Sequence, residues 1–135
     1  MGRIVCLDFG TKRIGVAISD ERKILARPLG MVLAGAKFFE ELKKLLRSEG
    51  VIEKIVIGLP LKMSGQDSAM TTMARSFAEE IKNHFPYPVE LWDERLTSML
   101  VEKALSEAGA SRKRRAEVSD TLSAVVILQS YLDKT

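Results

Sequence analysis

The chain is poor in the side chains that build disulfides and zinc sites. Its 135 residues include one cysteine and one histidine. A single cysteine cannot form an internal disulfide, and one cysteine with one histidine gives too few ligands for a typical zinc site. We therefore expect a cytoplasmic protein in which Cys6 is a small buried residue rather than a reactive thiol.

Long apolar runs are also absent. No apolar segment approaches the roughly 20 residues that a membrane-spanning helix needs, and the first residues, Met1-Gly2-Arg3, lack the pattern of a secretion signal. We expect no membrane partner. The length, with 46% hydrophobic and 29% charged residues, predicts a single domain over residues 1–135.

The positive net charge comes from one short segment. Arg112, Lys113, Arg114 and Arg115 are consecutive, and the rest of the chain holds 17 basic and 18 acidic residues. A basic run of this kind is often a solvated loop, but it is also a candidate contact for nucleic acid. We predict a polar, basic loop over residues 110–116.

Apolar periodicity predicts five strands and four helices. The predicted strands cover residues 3–9, 13–19, 24–32, 55–58 and 89–92, and the predicted helices run over 36–48, from about Ser68 to before Pro86, over 97–108 and from near Val118. Tight connections make the first three strands antiparallel, and helical crossovers make the later strands parallel. The fold class is therefore α/β, with a mixed five-stranded sheet flanked by helices.

Three details of this pattern make finer predictions. The alternation of Ile14, Val16 and Ile18 with small or polar residues predicts a second strand with one apolar face. Pro28 places the third strand at an edge of the sheet or at a bulge. Helical spacing puts Met73 beside Phe77 on the buried side of the second helix, and core packing is the favoured interpretation for Met70, Met73 and Met99.

Acidic residues stand where strands end. Asp8 closes the first strand, Asp93 and Glu94 follow the fifth, and Asp120 lies at the start of the last helix. Ligands of α/β sheets bind outside the carboxyl ends of parallel strands, so these acids could meet there. Converging carboxylates repel one another unless a divalent cation such as Mg²⁺ or Mn²⁺ lies between them.

Each acid also has an ordinary structural interpretation. Asp8 could cap a turn, Asp93 and Glu94 could be surface charges beside Arg95, and Asp120 could be favoured by the helix dipole. It is less plausible that all three acidic positions have only a structural role, because the predicted topology brings their strands and helix to one edge of the sheet.

Four motifs extend over nearly the whole chain. They are Leu7-Asp8-Phe9-Gly10-Thr11-Lys12-Arg13-Ile14-Gly15-Val16-Ala17, Val56-Ile57-Gly58-Leu59-Pro60, Asp93-Glu94-Arg95-Leu96-Thr97, and Asp120 with Ser123-Ala124. Together they resemble the YqgF/RuvX family, whose members are called Holliday junction resolvases or pre-ribosomal-RNA nucleases. The resemblance implies an RNase H-like fold and metal-dependent cleavage of structured RNA or branched DNA.

The resemblance also implies the site. It places the catalytic, metal-binding carboxylates at Asp8, Glu94 and Asp120, around a site for two Mg²⁺ or Mn²⁺ ions. Glu94 is favoured over Asp93 because its longer side chain can reach back from the turn. In the resolvase relatives an acid closes the fourth strand, whereas here that strand ends at Gly58 and Leu59, so Glu94 is expected to substitute for it.

Positive residues beside these acids are candidates for phosphate contacts. The predicted nucleic-acid-binding residues are Lys12, Arg13, Arg95, Arg112, Lys113, Arg114 and Arg115. His84 is interpreted as structural. Trp92 is interpreted as a core residue, with base stacking as the alternative.

The leading hypothesis is a nuclease that processes pre-16S ribosomal RNA in ribosome biogenesis, as a monomer or weak homodimer. A four-way DNA junction is the rival substrate, and a non-catalytic nucleic-acid-binding assembly factor is the rival class. Asp8-Phe9-Gly10-Thr11 is also similar to the phosphate-binding turn of actin-like ATPases and sugar kinases. Those proteins bind nucleotide between two such domains, and 135 residues hold only one.

Overall fold

The computed structural model describes residues 2–62, 64–94 and 112–135, and for residues 112–121 it describes the backbone only. The strands are β1 (Arg3–Asp8), β2 (Arg13–Ser19), β3 (Ala26–Leu33), β4 (Ile52–Leu59) and β5 (Val89–Asp93). The helices are α1 (Phe38–Leu46), α2 (Ala69–His84) and α3 (Arg112–Lys134). The helix predicted over 97–108 lies outside the described residues.

The strands form one five-stranded sheet in the order β3-β2-β1-β4-β5. β2 is antiparallel to both β1 and β3, whereas β4 is parallel to β1 and to β5. The predicted mixed sheet is therefore confirmed. The last residues of β1, β4 and β5 lie along the same side of this sheet, which we call the carboxyl edge.

Apolar side chains fill both faces of the sheet. One face packs on α1 and α2, through a cluster that includes Leu7, Ile57 and Phe77. The other face packs on α3, through a cluster that includes Cys6 and Ile127. Neighbouring residues of a strand point to opposite faces, so each strand divides its side chains between the two clusters.

The second strand is buried more completely than its alternation predicts. Ile14, Val16 and Ile18 belong to the face under α1, as expected, but Ala17 and Ser19 are fully buried as well. The prediction of one apolar face is wrong because α3 covers the opposite face, where only small residues leave room for a helix. Ala17 packs there in the cluster beneath α3.

β3 is an edge strand, as Pro28 predicts. The strand pairs with β2 alone, and its register shifts where Val16 pairs with Gly30 while Ala17 pairs with Pro28. A proline cannot donate to a strand ladder, so an edge position with a local irregularity accommodates it.

α2 begins with a reciprocal cap. The Ser68 side chain accepts from the Thr71 main-chain N–H, and the Thr71 hydroxyl accepts from the Ser68 N–H. The placement of Met73 in the core is wrong, because this side chain is 44% exposed and Met70 is also exposed. The buried face runs through Thr71, Ala74 and Ala78 instead, and Met99 lies outside the described residues.

α3 begins earlier than predicted. Its backbone is helical from Arg112, so the predicted loop is wrong over residues 112–116, as is the helix start near Val118; residues 110 and 111 lie outside the described part. The segment from Arg112 to Glu117 contains only good helix formers and neither glycine nor proline, and positive charge alone does not stop a helix. No helix in the described part of the chain is long and apolar enough to cross a membrane.

Candidate metal and nucleic-acid site

Asp8 and Glu94 meet at the carboxyl edge. Parallel pairing sets Leu7 of β1 beside Ile57 of β4, and Leu59 of β4 beside Asp93 of β5. The Glu94 N–H then donates to the Leu59 carbonyl at 3.2 Å, which fixes the first residue after β5. The carboxyl groups of Asp8 and Glu94 are close enough to interact, and this interaction lowers the pKa of Glu94.

A glycine shapes the turn that follows Asp8. A Cβ atom on Gly10 would collide with the main-chain carbonyl of Arg13. Only glycine therefore lets the chain fold back this closely into β2, and this turn holds Asp8 at the end of its strand.

Glu94 is buried although it is a carboxylic acid. The residue is 5% exposed, and its Oε2 atom has no hydrogen-bond partner among the described residues. An unsatisfied acceptor in a dry environment costs free energy. Burial is the main cause that raises the pKa of Glu94 from 4.5 to about 7; the Asp93 charge adds to the rise, and the interaction with the Asp8 carboxyl group opposes it.

The thiol of Cys6 lies beneath these acids and has no catalytic character. Cys6 is fully buried, and burial raises its pKa well above the ordinary value, with smaller effects from the charges of Asp8 and Glu94. A thiolate is disfavoured in such surroundings. The interpretation of Cys6 as a small buried residue is confirmed.

A divalent cation fits the chemistry of the Asp8–Glu94 pair. Both groups offer oxygen ligands, which Mg²⁺ and Mn²⁺ prefer. The Oε2 atom of Glu94 is a buried acceptor without a donor, and a cation would satisfy it. Among the side chains that the structure describes, however, no group of three or more acids, histidines or cysteines is close enough to hold a metal.

The third predicted acid lies on α3, and its side chain is outside the described part. The helix runs antiparallel to β4, because Tyr131 contacts Lys54 at the start of that strand while Ile127 lies near Gly58 at its end. Asp120 precedes Ile127 by two helical turns. The α3 backbone therefore continues from Ile127 toward and past the carboxyl edge, and Asp120 lies on that stretch.

The structure describes part of the predicted basic set. Lys12 is exposed in the turn between β1 and β2, and Arg13 is half-buried at the start of β2. Arg95 lies outside the described residues. Arg112, Lys113, Arg114 and Arg115 form the first turn of α3, with side chains outside the described part.

The two aromatic predictions have clear structural settings. The Trp92 ring packs edge-on against Tyr131, with ring centroids 5.2 Å apart, in the cluster beneath α3. The His84 ring stacks on Phe39 at 3.7 Å, and its Nδ1 lies 2.9 Å from the Glu80 carbonyl. Both side chains serve packing, as the sequence indicates.

One residue of the site escaped the sequence analysis as a functional position. Gly58 of β4 lies directly beneath the carboxyl group of Glu94. A glycine inside a buried strand often marks a close approach by another group, and this signal could have identified it.

Comparison with known proteins places the chain in a family. The family model described as "Holliday junction resolvase" matches residues 2–134. The chain belongs to the RuvX family. Among RuvX relatives, proteins of Protochlamydia amoebophila and of a Sulfurihydrogenibium species are each 45% identical to it. The matches cover 97% and 99% of this chain, and 93% and 92% of the relatives. Both carry the name "Putative pre-16S rRNA nuclease".

A solved structure supports the RNase H-like fold. The structure of Thermus thermophilus RuvC with a Holliday junction substrate aligns with a TM-score of 0.56 and 9% identity, over 99% of this chain and 96% of that one. The predicted RuvX membership, fold class and nuclease class are confirmed. Nucleases of this type act on nucleic acid and generally use divalent metal ions.

Proposed function

We propose that this RuvX-family chain is a divalent-metal-dependent endonuclease that processes pre-16S ribosomal RNA in the cytoplasm, as a monomer or weak homodimer. The observation that carries the proposal is the carboxyl pair of half-buried Asp8 and buried Glu94, in which the Glu94 Oε2 atom is left unsatisfied. The names of the relatives support the RNA substrate.

In this proposal Asp8, Glu94 and Asp120 hold Mg²⁺ or Mn²⁺. Two such ions, when bound, stabilise the attacking and leaving oxygens of phosphodiester hydrolysis. Glu94 must lose its proton to serve as a ligand, and because its pKa is raised to about 7, a nearby cation favours that loss at neutral pH. The dry surroundings of Glu94 strengthen its electrostatic interactions.

The basic residues bind the substrate backbone. Lys12 lies in the turn that follows β1 and Arg13 begins β2, so in this proposal they hold phosphates on the side of Asp8. The run Arg112–Arg115 starts α3 with four cations, and cations at a helix N-terminus oppose the helix dipole. Bound phosphate offsets this repulsion, so we assign the run, together with Arg95, to the nucleic-acid interface.

A four-way DNA junction is the second candidate substrate. The description of the family model favours it, because that description names Holliday junction resolution. Branched DNA and folded RNA present closely spaced phosphates, so the proposed basic surface suits either of them.

Cleavage assays with both substrates test the proposal. A labelled pre-16S RNA fragment and a labelled four-way DNA junction are incubated with the protein in EDTA, Mg²⁺ or Mn²⁺. We expect metal-dependent cleavage of the RNA, lost at least a hundredfold in Asp8→Asn, Glu94→Gln and Asp120→Asn. The exposed acids Glu79 and Asp133 supply the matched controls Glu79→Gln and Asp133→Asn, which keep activity.

The outcomes separate the candidates. Cleavage of the junction alone favours the DNA substrate. Wild-type protein that cuts neither substrate with either metal, or an Asp8→Asn variant as active as the wild type, contradicts the nuclease proposal.

A further inference from the structure

Gly58 is a glycine without a conformational reason to be one. It lies inside β4 between the buried residues Ile57 and Leu59, and its φ angle is not positive, so other residues could adopt its backbone conformation. The strand would gain packing and lose flexibility with a larger residue there. Something other than the backbone therefore keeps this position free of a side chain.

The space above Gly58 is already filled. A Cβ atom at this position would lie 2.7 Å from Glu94 Oε2, 3.2 Å from Glu94 Cδ and 2.8 Å from Ile127 Cδ1. Contacts below 3.0 Å are essentially never made by real Cβ atoms. The Ile127 methyl group is the far end of a flexible side chain, whereas the Glu94 carboxyl group is buried, with little room to move aside.

We infer that Gly58 is a positioning residue of the site, because its missing side chain makes the space in which the Glu94 carboxyl group lies beside Asp8. The carboxyl group of the residue after β5 thereby occupies the volume that a side chain on β4 would otherwise take. The inference rests on the proposed function only in so far as Glu94 binds the metal.

The same geometry explains the missing acid at the end of the fourth strand. An aspartate at this position would place its Cβ 2.7 Å from Glu94 Oε2, closer than real Cβ atoms come to another atom, and its own carboxylate would need the space beside that Cβ. An acid at this position of β4 and the carboxyl group of Glu94, which follows β5, therefore exclude each other. This chain has a glycine in β4 and the acid, Glu94, after β5.

Metal-induced stabilisation measures the effect without relying on activity. Thermal unfolding is followed during Mn²⁺ titration for wild type, Ile127→Val and the double variant Gly58→Ala/Ile127→Val. Ile127→Val removes the Cδ1 atom, so the added Cβ then conflicts with Glu94 alone. We expect Ile127→Val to match the wild type and the double variant to need at least tenfold more Mn²⁺ for half of the stabilisation.

A relocated carboxylate gives the second test. Glu94→Ala is expected to lose the Mn²⁺ stabilisation, and Gly58→Asp/Glu94→Ala is expected to recover part of it. A double variant Gly58→Ala/Ile127→Val that binds Mn²⁺ like the wild type overturns the inference, as does a relocated variant no better than Glu94→Ala. Wild-type protein that Mn²⁺ does not stabilise overturns the proposed metal site and this inference with it. Normal Mn²⁺ binding without any cleavage contradicts only the nuclease activity.

Discussion

Glu94→Gln should make the metal-free protein more stable at alkaline pH while it removes activity. Glu94 is 5% exposed, and its pKa is raised from 4.5 to about 7. A folded-state pKa above the unfolded value means that the folded protein binds this proton more tightly. Below about pH 4.5 Glu94 is protonated in both the folded and the unfolded state, and its burial does not lower the free energy of unfolding through ionisation. As the pH rises through 7, the folded protein loses stability because the buried group must ionise.

The size of the effect follows from the two pKa values. At about 1.4 kcal/mol for each pH unit, the penalty above pH 7 is about 3 kcal/mol. Glutamine has nearly the same shape and does not ionise. It should recover about 3 kcal/mol at pH 8.5, or roughly 10 °C in Tm for a domain of this size, and nothing at pH 4.5.

Urea unfolding in EDTA at pH 4.5, 7 and 8.5 measures the difference, with Glu79→Gln as the exposed control. Glu79→Gln should follow the wild type at each pH. Added Mn²⁺ should reduce the advantage of Glu94→Gln, because only the wild type gains a ligand interaction. Equal stability of Glu94→Gln and wild type at pH 8.5, or an advantage that does not change with pH, would refute this account of the buried acid.

Three further substitutions test other parts of the description. Lys12→Ala should weaken RNA binding several-fold and reduce the slope of log Kd against log salt by about 1, whereas an unchanged slope in filter binding argues against a phosphate contact. Thr71→Val removes a buried hydroxyl that donates to the Pro60 carbonyl at 2.6 Å and accepts from the Ser68 N–H, so urea unfolding should show a loss of about 1–2 kcal/mol, and no loss contradicts the role of these two bonds. Tyr131→Phe removes the hydroxyl that lies 2.7 Å from Lys54 Nζ, and it should cost about 1 kcal/mol without changing Mn²⁺ binding, so a changed Mn²⁺ requirement would link α3 packing to the site.

Local patterns in the sequence are sufficient to predict which segments form strands and which form helices. Apolar runs and turns identified every described strand, and Pro28 identified the edge, because these features act over a few residues. The start of α3 is predicted too late, near Val118 instead of Arg112. The basic run suggests a solvated loop, although its residues individually favour a helix. Met73 was misplaced because the buried stripe of α2 is set by packing on the sheet, which shifts it to Thr71 and Ala74.

For the pair Asp8 and Glu94, too, the sequence predicted one part of the arrangement and tertiary packing determined the rest. Their positions after two strands predicted that they could meet, and the topology brings them together. The burial of Glu94 and the part played by Gly58 depend on strand register and on the contact with Ile127. Those quantities come from tertiary packing, which one sequence does not reveal. The choice of Glu94 over Asp93 as the second ligand stays a prediction.

The shared volume at Gly58 also restricts how nucleases of this fold can diverge. A lineage that moves the second acid between neighbouring strands cannot keep both during the transition, since their carboxyl groups would collide. It must pass through an ancestor with a glycine and no acid at this place, or exchange both positions together.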